Sequence, residues 1–273
     1  MAPQTRRRIE PFGSGAYLGV HAETDRAALL GLGRPRMSRQ FPINQLMPIP
    51  KRLEPTGVIL ADKPPGPSSF AIVARVRSRT GAKTGHAGTL DPFATGLLIL
   101  LSGRATSLQD RFMKLDKRYL TDVDLRMRTT TGDPEGEALD EHPAPTGDEL
   151  RQSLEGLRGD VELPIPAASA VKIGGTRAYR LHRQGVDVEM PTRVMRVHSL
   201  DLVSYDDGVA RLDLRVGSGT YVRALAGALG GHCLSLRRTE IGPFGVEESD
   251  ETRVIPLEEA LPRLATVRDS ATR

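Results

Sequence analysis

The sequence predicts an α+β fold in which antiparallel strands and helices are interleaved. Apolar runs of strand length alternate with segments of helical periodicity, but not at the regular spacing of βαβ units. No glycine-rich dinucleotide or phosphate loop follows a predicted strand, which removes the usual nucleotide-cofactor folds. A chain of 273 residues with 38% hydrophobic residues is long enough to bury the core of one large domain.

The charge distribution indicates a polyanionic partner. The formal net charge is only +4, but the basic residues are clustered at residues 6–8, 114–118 and 237–238. Clusters of arginine and lysine attract nucleic acids and other polyanions.

The cysteine content and the lack of a long apolar run restrict the cellular setting. Cys233 is the single cysteine, so neither an internal disulfide nor a cysteine-cluster metal site can form. It sits among apolar residues, where a buried inert thiol is commoner than a nucleophile. No run reaches the ~18–20 apolar residues that a membrane span requires. These observations predict a soluble, cytoplasmic protein.

Residues 1–54 form a predicted extension. Arginine, glycine and proline are frequent there, and no helix or strand period is sustained. Two interpretations remain open. The extension is either a dispensable leader or misassigned start, or a basic arm that touches a polyanion.

Regular structure is predicted from residue 57 onward. Residues 57–63 are a short apolar run that ends at Pro-Pro-Gly, which predicts a buried strand followed by a turn. A helix follows, with Ser68 or Ser69 as its N-cap and apolar residues at helical spacing. Residues 96–102 form a continuous apolar run, which predicts a strand buried on both faces.

A half-buried strand is predicted after a short helix near residues 105–113. In residues 117–125, period-two alternation places Tyr119 on the apolar face. Residues 129–142 are polar and rich in glycine, proline and acidic residues, which indicates an exposed loop. A capping box at Thr146 then starts a further helix.

The segment that follows is basic. Residues 164–170 are irregular and contain proline. Residues 172–184 combine Lys172 and several arginines with one tyrosine. This pattern suits single-stranded nucleic acid, but it is commoner on a solvated helix face, and both interpretations stay open.

In the last part of the chain the sequence predicts a hairpin, a helix, a strand and a closing helix. The hairpin spans residues 193–216 and turns at Asp-Asp-Gly. Residues 217–226 turn into a helix and place Arg223 close to its first turn, and a helix N-terminus and a guanidinium both favour anions. Residues 234–241 are predicted as the last strand, and residues 256–264 as a closing helix.

The loop at residues 83–96 holds the first candidates for chemistry. It contains His86 and Asp91, and Pro92 restricts Asp91 to extended geometry. Taken alone, Asp91 is more often a helix cap and His86 a structural hydrogen-bonding group. Zinc would need three or four ligands, and no second ligand lies at a suitable spacing, so no metal is predicted.

Asp91, Tyr119 and Arg223 are more convincing as site residues together than separately. Tyr119 alone is most simply a core tyrosine, and Arg223 alone a surface arginine near a helix start. Together with Asp91 they would supply a carboxylate, an arginine that keeps it ionised, and an aromatic platform. Such a set can act on a nucleotide that has been flipped out of its loop.

Six short motifs occur in order between about Gly57 and Leu261. They are Gly57-Val-Ile-Leu-Ala-Asp-Lys-Pro, Gly85-His-Ala-Gly-Thr-Leu-Asp-Pro-Phe-Ala-Thr-Gly, Asp116-Lys-Arg-Tyr, Ser169-Ala-Val-Lys, Gly219-Thr-Tyr-Val-Arg and Leu236-Arg-Arg-Thr. In this order they resemble the motifs of the TruB family of tRNA pseudouridine synthases.

The resemblance implies a mixed, mainly antiparallel sheet bent around a central catalytic cleft, with an inserted RNA-binding lobe. It implies a catalytic domain at residues 55–264, a tail at 265–273, and no C-terminal RNA-binding domain. The implied activity is isomerisation of a uridine in the T loop of tRNA to pseudouridine. A monomer would carry it out through base flipping, without cofactor or metal.

The resemblance also implies roles for individual residues. Asp91 would be the catalytic carboxylate, Tyr119 would stack on the flipped base, and Arg223 would pair with Asp91. Leu236 would line the base pocket, and His86 would help to displace the base. Further substrate contacts are predicted at Lys63, Lys172 and Arg237, with Arg177 and Arg238 as additional phosphate contacts.

Two other functions compete with this one. The first is an RNA-binding or RNA-folding module without catalysis, against which the intact Asp91, Tyr119 and Arg223 argue. The second is a carboxylate-based glycosidase, but that chemistry needs two positioned acids and the loop supplies only Asp91.

Overall fold

A mixed sheet of eleven strands forms the centre of the computed structural model, which describes residues 7–8 and 56–270. The described strands are β1 (Arg7–Arg8), β2 (Gly57–Lys63), β3 (Thr84–His86), β4 (Thr95–Ser102), β5 (Lys117–Asp124), β6 (Met127–Thr129), β7 (Ala138–Glu141), β8 (Gly159–Pro164), β9 (Lys172–Ile173), β10 (Thr176–Arg177), β11 (Thr192–Asp206), β12 (Val209–Val216), β13 (His232–Ile241), β14 (Phe244–Gly245) and β15 (Asp250–Ile255). The described helices are α1 (Ser69–Thr80), α2 (Gln109–Met113), α3 (Gly147–Gly156), α4 (Ala178–Arg183), α5 (Val222–Ala228) and α6 (Leu257–Ser270).

The strand order of the large sheet is β1-β8-β11-β12-β5-β13-β4-β2-β15, with β3 also paired to β4 and β14 to β13. Among the described strands, the pairs β1/β8 and β13/β4 are parallel, and the other pairs of this sheet are antiparallel. The predicted α+β class with a mixed, mainly antiparallel sheet is therefore confirmed.

Strand β4 is buried on both of its faces, as predicted. Alternate side chains enter two different apolar clusters because successive residues of a strand point to opposite faces. Leu97, Ile99 and Leu101 belong to one cluster, whereas Leu98 and Leu100 pack with helix α1 in the other. The loop that precedes β4 is thus attached to the most deeply buried strand.

Helix α1 begins as its N-cap chemistry predicts. The side-chain oxygen of Ser68 accepts a hydrogen bond from the amide of Ala71 at 3.2 Å. The helix ends at Gly81, whose left-handed φ of 66° suits a residue without a Cβ. Ile72, Val73 and Val76 face the sheet and are buried, so the predicted apolar face is also confirmed.

Strand β5 has the predicted alternation. Tyr119, Thr121 and Val123 are buried, whereas Leu120 is exposed. The strand lies between β12 and β13, and this position brings the ring of Tyr119 into the same apolar cluster as residues of β13.

A small lobe, residues 165–191, is inserted between two neighbouring strands of the sheet. It leaves the sheet at the end of β8 and returns at the start of β11, and these strands pair antiparallel. The amide of Ile165 donates to the carbonyl of Pro191 at 3.0 Å, which closes the base of the lobe. Within it, β9 and β10 form a two-stranded sheet followed by α4.

Several predictions of local structure were wrong. Residues 129–142 are not simply an exposed loop, because β7 pairs with β6 and Asp133 is buried. Strand β8 was missed, since only two of its residues, Val161 and Leu163, are buried apolar side chains. Residues 234–241 are not the last strand, because β14 and β15 follow. Strand β15 has a charged edge-strand sequence that carries little hydrophobic signal.

The two ends of the chain complete the comparison with the predicted elements. Helix α6 continues to Ser270, beyond the predicted end at residue 264. The predicted extension, apart from Arg7–Arg8, lies outside the described residues. No helix in the described part is long and apolar enough to cross a membrane.

Lys117 at the start of β5 is a buried cation. It is 7% exposed, and its ammonium donates to the carbonyl of Met113 at 2.6 Å and to that of Leu115. Burial, and to a lesser degree the nearby Arg238 guanidinium, lower the pKa of Lys117 from 10.5 to about 8.

We predict that Lys117 makes stability rise with pH between about pH 8 and 10.5. In that window the unfolded chain retains the lysine proton and the folded chain has lost it, so the free energy of unfolding increases with pH. The slope for one such group is at most about 1.4 kcal/mol per pH unit. Urea unfolding at pH 8, 9 and 10 should show a steeper rise for the wild type than for Lys117→Met. Parallel pH profiles would contradict the prediction, whatever the absolute stability of the variant.

Candidate active site

The Asp91 loop, residues 87–94, connects β3 to β4 in a hairpin. The predicted loop at residues 83–96 was too long, because its first residues pair with β4 as β3 and its last ones begin β4. Gly88 and Gly96 have φ values of 107° and 101°, which side chains other than glycine rarely adopt. A Cβ at Gly96 would lie 2.2 Å from the carbonyl oxygen of Arg238, so the loop also needs glycine for close approach to β13.

Asp91 is held by Arg223. The Nε of Arg223 donates to Oδ2 of Asp91 at 2.9 Å. Arg223 lies in the first turn of α5 with its side chain only 3% exposed, whereas the side chain of Asp91 is 35% exposed. The pair therefore presents an open carboxylate on a buried guanidinium.

The remaining donors of Arg223 reach two other segments. Its Nη1 donates to the carbonyl of Thr131 at 2.6 Å and lies 3.3 Å from Oδ2 of Asp133. Its Nη2 donates to the carbonyl of Ala168, at the base of the lobe, at 2.9 Å. The guanidinium thus joins the Asp91 loop, the β6–β7 connection and the lobe.

Asp133 is a site residue that the sequence analysis missed. Its side chain is 6% exposed and accepts from Thr131 Oγ1 at 2.6 Å and from the amide of Glu135 at 3.0 Å, besides its pairing with Arg223. One signal could have indicated it. The Asp-Pro pair at Asp133 repeats the Asp-Pro pair of the loop, inside a segment whose polar composition suggested only exposure.

Tyr119 and Leu236 lie beside the loop on adjacent strands. Both side chains are buried, in a cluster that also contains Leu90 and Ala94 of the Asp91 loop. The structure therefore places Tyr119 and Leu236 in the same apolar cluster as two residues of the loop, although they come from distant parts of the chain.

His86 is the last residue of β3, just before the loop. Its Nδ1 is buried and has no hydrogen-bond partner among the described residues. Burial, with a smaller contribution from the charge of Arg238, lowers the pKa of His86 below its ordinary value. A neutral imidazole with one free ring nitrogen thus adjoins the loop.

Lys63 supports the loop from within the protein. It is fully buried, and its ammonium donates to the carbonyls of Pro64 and Pro67 at 2.9 Å and of Pro92 at 3.0 Å. Burial lowers its pKa to about 8, although the charge of Asp91 acts in the opposite direction. This placement is at odds with the predicted substrate contact, because the ammonium faces backbone carbonyls of the protein.

Arg237 and Arg238, the two adjacent arginines of β13, differ in solvent exposure. The side chain of Arg237 is 41% exposed and pairs with Asp62 at 2.7 Å. Arg238 is 1% exposed, which is incompatible with the predicted phosphate contact. Alternation along the strand explains the difference, since neighbouring side chains point to opposite faces.

Lys172 lies in the lobe rather than at the Asp91–Arg223 pair. It is an exposed residue of β9, where it pairs through the backbone with Arg177 of β10. The prediction that Lys172 contacts the substrate therefore concerns the lobe and stays a prediction.

Cys233 is inert, in agreement with the sequence-based interpretation. It is fully buried, and burial raises the pKa of its thiol to about 12. No group of three His, Cys, Asp or Glu side chains suited to holding a metal ion occurs in the described part of the chain.

Known proteins resemble this chain over most of its length. Residues 76–222 match the family described as TruB family pseudouridylate synthase (N terminal domain). A tRNA pseudouridine synthase B of Aromatoleum aromaticum is 42% identical over 214 residues, which cover 76% of this chain and 68% of the relative. Another, of Thermobifida fusca, is 40% identical over 236 residues, covering 78% of this chain and 80% of the relative.

A solved structure has the same fold. The crystal structure of a Cbf5-Nop10-Gar1 complex contains a chain that superposes with a TM-score of 0.56 at 25% identity. The match covers 80% of this chain and 57% of that chain.

We predict that Arg223 is required for stability because it neutralises a buried carboxylate. Arg223→Met leaves Asp133 buried without its cation and should lower the free energy of unfolding by about 3–5 kcal/mol. The double variant Arg223→Met with Asp133→Leu should recover part of this loss, because both buried charges are then gone. Urea unfolding measures both effects. Arg215→Met, which removes an exposed partner of Glu240, is the control and should cost less than about 1 kcal/mol. Equal destabilisation of the single and double variants would contradict this account.

Proposed function

Because the chain belongs to the TruB family of pseudouridylate synthases, we propose that it isomerises one uridine in the T loop of tRNA to pseudouridine. The relatives named above are tRNA pseudouridine synthases B. The observation that carries the proposal is the half-open carboxylate of Asp91 on the buried guanidinium of Arg223. The uridine base leaves C1′ through N1, rotates, and returns to C1′ through C5.

Asp91 is the catalytic carboxylate in this proposal. It engages the ribose while the glycosidic bond breaks, and for this it must be ionised and fixed in direction. The guanidinium of Arg223 supports the second requirement, because the hydrogen bond from Nε orients the carboxylate.

Tyr119, Leu236 and His86 surround the base in the proposal. A uridine inside a folded RNA loop must be extruded before its glycosidic bond can be reached, and single-stranded loops are easier to open than duplexes. Tyr119 stacks on the extruded uracil and assists removal of the C5 proton, and Leu236 lines the pocket. His86 ends β3 at the start of the Asp91 loop, and in the proposal it makes the contact with the RNA that helps to displace the base.

The lobe supplies the RNA grip. It carries basic side chains that have no carboxylate partner in the described part of the chain: Lys172, Arg177, Arg180 and Arg183. Arg180 and Arg183 also lie 5.9 Å and 5.8 Å from the ring centre of Tyr179. A group of exposed cations without carboxylate partners favours a phosphate backbone as partner. Arg237 pairs with Asp62 but is exposed enough to be a further phosphate contact.

Asp133 is a second carboxylate near Asp91, but it does not support the competing glycosidase function. Asp133 is buried, its Oδ1 already accepts hydrogen bonds from Thr131 and Glu135, and its Oδ2 lies 3.3 Å from Nη1 of Arg223. A general acid must reach the leaving group, and Asp133 does not face solvent.

We further propose that the enzyme acts as a monomer in the cytoplasm, without cofactor or metal.

We predict that Asp91→Asn abolishes pseudouridine formation. The variant keeps the shape of the side chain but removes the charge, so turnover should fall by about 10³-fold or more. The assay maps pseudouridine in an unmodified T-arm hairpin transcript, with an anticodon-arm hairpin as the specificity control. Asp122→Asn is the matched control variant. Asp122 also pairs with an arginine, Arg211, but it lies on the face of β5 opposite to Tyr119. A wild type that binds the T-arm hairpin but leaves its uridine unchanged would refute the proposal. Full activity of Asp91→Asn would refute the role of the carboxylate.

We predict that the lobe arginines determine the salt dependence of RNA binding. Replacing Arg177, Arg180 and Arg183 by glutamine should weaken binding. It should make the slope of log K against log salt concentration less negative by about 0.7–0.9 for each phosphate that is no longer neutralised. The matched triple variant replaces three ion-paired arginines, Arg151, Arg211 and Arg253, and should leave the slope unchanged. If both triple variants had the same slope of log K against log salt concentration, the lobe would not be part of the RNA interface.

A further inference from the structure

Arg238 forms hydrogen bonds with the Asp91 loop from below. Its Nε donates to the carbonyl of Leu97 at 2.8 Å, and Nη1 and Nη2 donate to those of Thr89 at 3.3 Å and Gly88 at 3.1 Å. The backbone of Arg238 lies beside Gly96 in the parallel pair of β13 and β4. One side chain of β13 therefore binds both ends of the connection that carries Asp91.

The carbonyls of residues 90–92 also have individual partners. Ser69 Oγ donates to the carbonyl of Leu90 at 2.9 Å and accepts from its amide at 2.8 Å. The carbonyl of Asp91 accepts from the amide of Ala94 at 3.2 Å. The carbonyl of Pro92 accepts from Lys63 and from the amide of Gly66. Each carbonyl from residue 88 to residue 92 is thus fixed, and Arg238 is the donor that fixes the first two.

Stability by itself does not account for an arginine at this position. Arg238 is 1% exposed, and no carboxylate lies within ion-pair distance of it in the described part of the chain. A guanidinium buried against neutral carbonyls bears a desolvation cost that a hydrocarbon side chain would avoid. Arginine does provide a planar fork of donors, which can satisfy three carbonyls at fixed angles. The geometry therefore favours a role in orientation.

We propose that Arg238 is a positioning residue of the reaction, which sets the direction of Asp91 by fixing the backbone of residues 88–90. This inference rests on the proposed function for its catalytic part only. Arg223 holds the carboxylate end of Asp91, and Arg238 holds the peptide backbone from which the side chain projects. Misplacement of a reacting group by about 1 Å can cost about 100-fold in rate, so the backbone anchor affects turnover without touching the RNA.

The test uses Arg238→Lys, which keeps the charge but loses the fork. A first measurement, amide hydrogen exchange at Leu90 and Ala94, needs no RNA. A second is the turnover number and KM for the T-arm hairpin, per folded molecule. Ile255→Ala is the matched control, because it truncates a buried side chain of β15, a strand that pairs with β2 rather than with the loop. If Arg238→Lys does not fold, Arg238→Gln, which removes the buried charge and keeps one donor, takes its place.

The expected result is faster exchange at both amides and a turnover number lower by about 10–100-fold, with KM within about threefold of the wild type. Ile255→Ala should show neither change at matched stability. Unchanged exchange in Arg238→Lys would overturn the inference, even if activity fell. Faster exchange with normal turnover would overturn it too, and so would a loss confined to KM, which would indicate contact with RNA. An inactive wild type would refute the proposed function instead, while the exchange data would still report on the loop.

Discussion

The ion pair between Arg223 and Asp91 is the interaction on which the arrangement of the site depends. Its guanidinium binds three segments that are far apart in the sequence, namely the Asp91 loop, residues 131–133 and Ala168. Most arginine–carboxylate pairs among the described residues are partly exposed, and exposed pairs contribute little to stability. This pair differs because the cation is buried, so its donors must all be satisfied and the segments that satisfy them are held in place.

The same logic applies beneath the loop, with backbone carbonyls in place of carboxylates. Lys63 and Arg238 are buried cations whose donors are occupied by carbonyl oxygens of the loop and its neighbours. Burial is the main cause of the pKa of Lys63 near 8, and the charge of Arg238 adds to it while Asp91 partly offsets it. Cations therefore hold the loop in two ways: Lys63 and Arg238 bind its backbone carbonyls from below, and Arg223 binds the carboxylate of Asp91. This arrangement fixes the direction of Asp91 from two sides.

The sequence predicted the parts of the fold that carry a hydrophobic period. Strand β4 is a continuous apolar run and β5 alternates strictly, so both were found with the correct burial. Strands β8 and β15 have too few apolar residues to be recognised, because their places in the sheet are fixed by backbone pairing with β11 and β2. The site shows the same division. Motifs indicated Asp91 and Arg223, but Asp133 and the buried state of Arg238 arise from long-range packing that no local pattern records.

The attachment of the lobe connects helix α4 to the ion pair. Ala168 accepts from Arg223, while the next residue, Ser169, accepts from the amide of Tyr179 in α4 at 3.0 Å. Two consecutive carbonyls thus link the guanidinium that holds Asp91 to the helix that carries Arg180 and Arg183. The side-chain oxygen of Ser169 is buried there without a partner in the described part of the chain. An unsatisfied buried hydroxyl costs about 1–3 kcal/mol, so this junction carries a local energetic cost. The junction thus places the first turn of α4 one hydrogen bond from Ser169, next to the Ala168 carbonyl that binds the guanidinium of Arg223.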